Sequence, residues 1–312
     1  MSSSSAPKRH KATADQTSQG QKRKEKFYSH RFLTKEHEEN YALVQNRRLL
    51  MEKPLGLLLG EVPEFLEEFL RRGWNNLGLY PALASIAIVK EFYANAKKIH
   101  DEDPFLSYVR GRRVPFDVET INTFLGTDWS LGNTLCQYAQ LVNAGVDYRE
   151  IEQILCIPEG TFELNKNQQP IKILRSNLTS RSKMWLTLIH ANMTPCSHVS
   201  DITMSRSIIL YAILTGRSLN VGRLIANEIH QCAHAAKPKV PLGHPCLITH
   251  LCELAGVDTS TPPFERPHAP IDKGYYTQHC LPVEGGDLLH HHHHHHSILA
   301  NNWLHLPLMH GR

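Results

Sequence analysis

Val62, Phe65, Leu66, Phe69 and Leu70 recur at i, i+3, i+4, i+7 and i+8, a repeat that gathers five apolar side chains on one face of an α-helix. Pro63 stands near the start of the run and Gly73 just past its end, where a fixed φ and a left-handed residue suit helix termini. The spacing predicts one amphipathic helix. Pro81 opens a second, with Leu83, Ile86, Val89 and Phe92 or Tyr93 as its buried stripe. Shorter helical periods occupy 34–48, 117–125, 134–143, 147–155 and 180–192. The stretch 208–214 is apolar all round and is followed by Gly216, as expected of a central helix and its stop. Two further helices are predicted over 221–235 and 245–256.

The pattern changes to strands around Arg110-Gly111-Arg112, flanked by Phe105-Leu-Ser-Tyr-Val109 and Arg113-Val-Pro-Phe116, which predicts a β-hairpin. The fold class expected is therefore mainly α, multi-helical with one β-hairpin. The polar, turn-rich segment 158–170 marks a break between two lobes. Beyond Thr261 the prolines at 262, 263, 267, 270 and 282 interrupt every helical period. The domain is accordingly placed at 27–262, and 263–312 is read as a low-complexity Pro/His-rich tail containing seven consecutive histidines, His290 to His296. Residues 1–26 carry no large apolar side chain after Met1 and are read as a disordered arm.

Charge sharpens this division. The 312 residues have a formal net charge of +4. The arm carries seven basic and two acidic residues, the tail three and four, and the body 24 of each sign. The excess positive charge thus belongs to the arm, and the body is neutral. Within the arm, Lys8 and Arg9 are separated by a spacer from Lys22, Arg23, Lys24 and Lys26. Two basic clusters on one flexible strand have the form of a nuclear import signal read by an import carrier. The expected compartment is the nucleus, and otherwise the cytoplasm. Seven cysteines at irregular spacing and no apolar leader fit reduced thiols in an intracellular protein. No apolar run approaches the roughly 18 residues of a membrane span, so no membrane partner is expected.

Candidate chemistry is sparse. His230, Cys232, His234, His244, Cys246, His250 and Cys252 invite a zinc reading. On a helix over 221–235, however, His230 and His234 lie nearly opposite the apolar face that holds Cys232, and no C-x-x-C is present; no metal or cofactor is expected. The helices either side of Gly216-Arg-Ser-Leu-Asn220 have the outline of a helix-turn-helix, with Arg223, Asn227 and Gln231 on the exposed face of the second. Arg110, Arg112 and Arg113 at the hairpin are the candidate nucleic-acid contacts, suited to phosphate. No Walker loop, nucleophile elbow, dinucleotide fingerprint or H-E-x-x-H is present, and no enzyme activity is expected.

Several ordered motifs carry a family likeness. Arg31-Phe32, Glu39-Asn-Tyr41, Arg72-Gly-Trp74, Glu91-Phe-Tyr-Ala-Asn95, Val109-Arg-Gly-Arg-Arg-Val-Pro-Phe116 and Ile121-Asn122 come first. Met184-Trp185, Ser197-His-Val-Ser-Asp201, Leu210-Tyr-Ala-Ile-Leu-Thr-Gly216, Asn220-Val-Gly222 and Leu251-Cys-Glu-Leu-Ala-Gly256 follow. Over residues 27–260 the chain resembles the putative plant transposon protein domain of retroelement-derived plant reading frames. The resemblance implies transposable-element origin and no catalytic residues. The leading expectation is a non-enzymatic protein that acts through binding. The alternatives are a DNA-binding or transposition factor and a capsid-like structural protein that binds itself.

Overall fold

A buried carboxylate at position 52 and a run of backbone hydrogen bonds on either side of it explain how the chain closes on itself. The computed structural model describes residues 28–100, 104–127, 129, 136–235, 237 and 239–282. The arm, the import clusters and the seven-histidine run lie outside the described residues. Helix α1 (Lys35–Val44) leads into an extended stretch, 48–56, that serves two distant segments. Leu50 N–H donates to Leu242 O at 2.8 Å and Leu242 N–H to Arg48 O at 2.9 Å; Gly56 N–H donates to Ile271 O at 3.0 Å and Ile271 N–H to Pro54 O at 2.8 Å.

Helix α2 (Pro63–Arg71) presents Phe65, Leu66 and Phe69 to the core, and the short α3 (Asn75–Leu79) follows. Strand β1 (Ala84–Ser85) delays the second predicted helix, so that α4 (Ile86–Asn95) begins at Ile86 and not at Pro81. Strands β2 (Leu106–Val109) and β3 (Arg112–Pro115) form the expected hairpin, with Val109 opposite Arg112. Helix α5 (Val118–Leu125) is capped by the Asp117 carboxylate, which accepts Thr120 N–H at 2.8 Å, and ends at Gly126 with φ +65°.

Helices α6 (Gln137–Ala144) and α7 (Tyr148–Leu155) precede β4 (Phe162–Leu164) and β5 (Pro170–Leu174). Helix α8 (Ser180–Leu188) runs on into a π-helical turn, Ile189–Met193. Strand β6 (Asp201–Thr203) pairs with β5, giving the antiparallel order β4-β5-β6. Helices α9 (Met204–Leu214), α10 (Val221–His234) and α11 (Pro245–Leu254) supply much of the core. Strand β7 (Phe264–Glu265) pairs with β1, and α12 (Lys273–His279) is capped by Asp272.

The helical content agrees with the mainly α expectation, and the structure adds detail to it. Twelve α-helices among the described residues accompany three small antiparallel sheets, not one hairpin. The 158–170 segment, read as a lobe break, holds β4 and its turn into β5, and the described residues through Leu281 form one compact unit. The tail also starts later than position 263. Ile271 and Cys280 are fully buried, and Pro263 O accepts Ile86 N–H at 3.1 Å. The prolines exclude a helix over 262–270 but not an extended strap across the body.

The core is one contiguous cluster. Trp185 stands at its centre, 4.3 Å from the Phe65 ring and edge-on to Trp74 at 6.0 Å between centroids. No described helix is long and apolar enough to cross a membrane.

Candidate functional site

Glu91, on α4, has no exposed side-chain surface. Its carboxylate accepts the backbone N–H of Arg110 at 2.7 Å and the Nε–H groups of Arg110 and Arg31, each at 3.2 Å. Arg110 has φ +47° and Gly111 φ +81°, the left-handed pair that a two-residue hairpin turn of matching twist requires. Asparagine usually fills the first place; here the buried carboxylate offsets the cost by holding arginine's backbone and side chain together. Asn95 completes the anchor. Its amide donates to Arg31 O and Tyr108 O, both at 2.8 Å, and its oxygen accepts Leu33 N–H at 3.1 Å.

The three predicted contact residues therefore divide. Arg110 is engaged with Glu91, and its role is to set the turn; Arg112 and Arg113 are exposed on β3. As successive strand residues they point to opposite faces of the ribbon. Arg31, which spacing alone does not connect with the hairpin, joins the same end, its guanidinium 4.9 Å from the Tyr41 ring centroid and 5.2 Å from that of Phe32. Two arginines, Arg31 and Arg110, thus share one buried carboxylate. Asp258 lies close enough for the Arg110 charge to act on it, its carboxyl held below the ordinary range first by the Ser260 hydroxyl and N–H and then by that charge.

The histidines and cysteines of 230–252 are dispersed. His230 and His234 stack on each other at 4.2 Å, and His230 stacks on Phe105 at 5.1 Å. Cys232 Sγ lies 3.2 Å from an Arg47 Nη, while the Cys246 thiol donates to Ala82 O at 2.9 Å. His250 meets Tyr80 O at 2.9 Å. Among the described residues no group of three or more such side chains is placed to hold a metal ion. The helix-turn-helix outline also dissolves. Helix α10 packs chiefly on α5 and α9 on α7 and α6, so the two are not the mutually packed pair that the motif needs.

A second cationic feature has no counterpart in the sequence motifs. Arg48, Lys53, Arg175 and His268 line a cavity of about 220 Å³ together with Tyr275 and the buried His190. No carboxylate lines it. His190 sits on the π-helical turn, a rare geometry that recurs at functional sites. Its Nε2 is buried without a protein partner. Burial, followed by the charges of Arg206 and Arg175, pushes its pKa down to about 3.

The model of the Putative plant retrotransposon-related domain matches residues 70–258. The chain belongs to that family. Comparison with curated proteins and with solved structures gave no match. The retrotransposon-related domain holds α3 to α11 and the whole hairpin, whereas Arg31, Arg48, Lys53, His268 and Tyr275 lie outside the matched stretch.

Within the domain, the motif residues that suggested the family are largely fold-holding groups. Arg72 is nearly buried; it pairs with Glu68 at 2.6 Å and donates to Ile213 O and Arg217 O, both at 2.9 Å, closing the end of α9. Asn122 accepts Gly222 N–H at 3.0 Å and donates to Asn220 at 3.1 Å, tying α5 to the start of α10. Glu91 and Asn95 hold the hairpin. Each is a buried polar group with its partners supplied.

Proposed function

We propose that this retrotransposon-related protein acts by binding nucleic acid, without catalysis, on the hairpin end of the body. The observation that carries the reading is the exposure of Arg112 and Arg113 on the strand that leaves a turn whose backbone is held by the buried Glu91. An ordered hairpin reduces the backbone freedom lost when its arginines meet phosphate. Successive strand positions send them to different phosphates, which suits contact with a backbone and carries no base preference. The body is otherwise neutral, so affinity rests on this local cluster and is modest. The two basic clusters of the arm support a nuclear site of action.

The test is a duplex binding titration of the full chain against the double variant R112A/R113A. The variant is expected to bind several-fold more weakly to every duplex sequence alike, with unchanged thermal stability. Equal binding by both proteins would remove the hairpin as the interface. A light-scattering signal for assembly without nucleic acid would favour a capsid-like role instead.

A further inference from the structure

We propose that the cavity beside the π-helical turn binds the phosphate monoester group of a small soluble ligand, held by Arg48, Lys53 and Arg175. The site is separate from the hairpin and shares no residue with it. Three cations and no carboxylate in the wall match a dianion better than a singly charged group. Acids that act on the cavity's groups from outside the wall include Asp201, which accepts Lys172 Nζ at 3.0 Å, and Asp272, which accepts Tyr275 N–H at 2.7 Å. Those two carboxylates are already engaged. Glu265 acts on His268 at the exposed rim.

Two of the cations, Arg175 and Lys53, are also positioned. Arg175 donates to Thr187 Oγ1 at 3.3 Å, and Thr187 meets the Tyr275 hydroxyl at 3.0 Å. Lys53 Nζ donates to Ala269 O at 3.0 Å and lies 5.2 Å from the Tyr275 ring centroid. Asn192, on the π-helical turn, accepts Lys53 N–H at 3.1 Å and donates to Lys53 O at 2.9 Å, fixing the backbone that carries the lysine. His190 offers a buried ring nitrogen that lacks a partner, and a phosphate oxygen reaching the wall is an acceptor for it. About 220 Å³ is below the roughly 300–1,000 Å³ of pockets that enclose a drug-sized ligand. The cavity therefore fits a terminal phosphate with a short organic stem.

The experiment is isothermal titration calorimetry of the full chain with inorganic phosphate, glycerol phosphate, dimethyl phosphate and acetate. Phosphate and glycerol phosphate are expected to saturate one site, with dimethyl phosphate and acetate at least about tenfold weaker, equivalent to ~1.4 kcal/mol. Lys53→Gln should weaken glycerol phosphate binding about tenfold. Arg48→Gln, at an exposed position, should also weaken it, with unchanged thermal stability. R112A/R113A should leave it unchanged, so loss of nucleic-acid binding and loss of this site are read separately. Absence of saturation, equal binding of dimethyl phosphate or acetate, or loss of the signal in R112A/R113A would each overturn the proposal.

Discussion

Gly222 shows how much of this fold rests on single positions. The Asn122 side chain lies so close to it that a Cβ there would overlap the amide group. The contact exists because Asn122 accepts the Gly222 N–H while also accepting the Thr127 hydroxyl at 2.8 Å. Gly222→Ala must therefore push α5 from α10 or break a buried amide network. A loss of about 1–3 kcal/mol is expected from overpacking alone, read as a lower urea midpoint with an unchanged slope. A midpoint equal to that of the parent would show that the helices can part without cost. The sequence makes the asparagines and the glycine visible as motif members, but the contact joins positions 100 residues apart, which no local period reports. The same holds for Arg31, whose neighbour at the hairpin is set by Glu91 on a third segment.

At the scale of elements, periodicity located α2, α5, α7, α10 and α11 to within a residue or two because each has a stripe, a cap or a stop that acts locally. It failed where pairing is non-local. Strand β1 is two residues long and takes its identity from β7, so helix α4 starts later than its apolar pattern suggests. The segment after Pro262 has no period of its own, and what orders it is the 48–56 stretch far upstream. A chain ending at residue 262 should accordingly lose the cover over Leu55 and the partners of Pro54 O, Glu52 O and Gly56 N–H. Its thermal midpoint is expected to fall by several degrees against a chain ending at 282, in line with a cost of about 2–4 kcal/mol for a lost segment with two fully buried side chains, Ile271 and Cys280. Equal midpoints would mean that the strap is bound without contributing to stability. The candidate site was legible in part: the hairpin and its three arginines follow from local alternation, whereas the cavity gathers residues 48, 53, 175, 190 and 268, which only the closed chain brings together.

At the scale of the whole molecule, two buried histidines set an acid limit. Burial pushes His244 down to about 3, and His190 reaches about 3 by burial and neighbouring arginines. Both stay neutral in the folded chain well below 6.5, while the unfolded chain protonates them near 6.5. Unfolding thus takes up protons between about pH 6.5 and 3, and stability is lost as pH falls through that window. Glu52 and Glu228, raised by burial, oppose this above about 4.5, where the folded state holds the extra proton. Below 4.5 their opposition ends, so the steepest fall, up to about 1.4 kcal/mol per pH unit for each histidine, is expected between pH 4.5 and 3. Urea midpoints at closely spaced pH values check it, and a flat profile there would contradict it. The body is neutral overall, and the proposed nucleic-acid binding rests on the hairpin. Its most direct test is the slope of log binding constant against log salt concentration for a duplex. Removing Arg112 and Arg113 together should flatten that slope by about two, whereas parallel slopes for the parent and R112A/R113A would contradict phosphate contact at the hairpin.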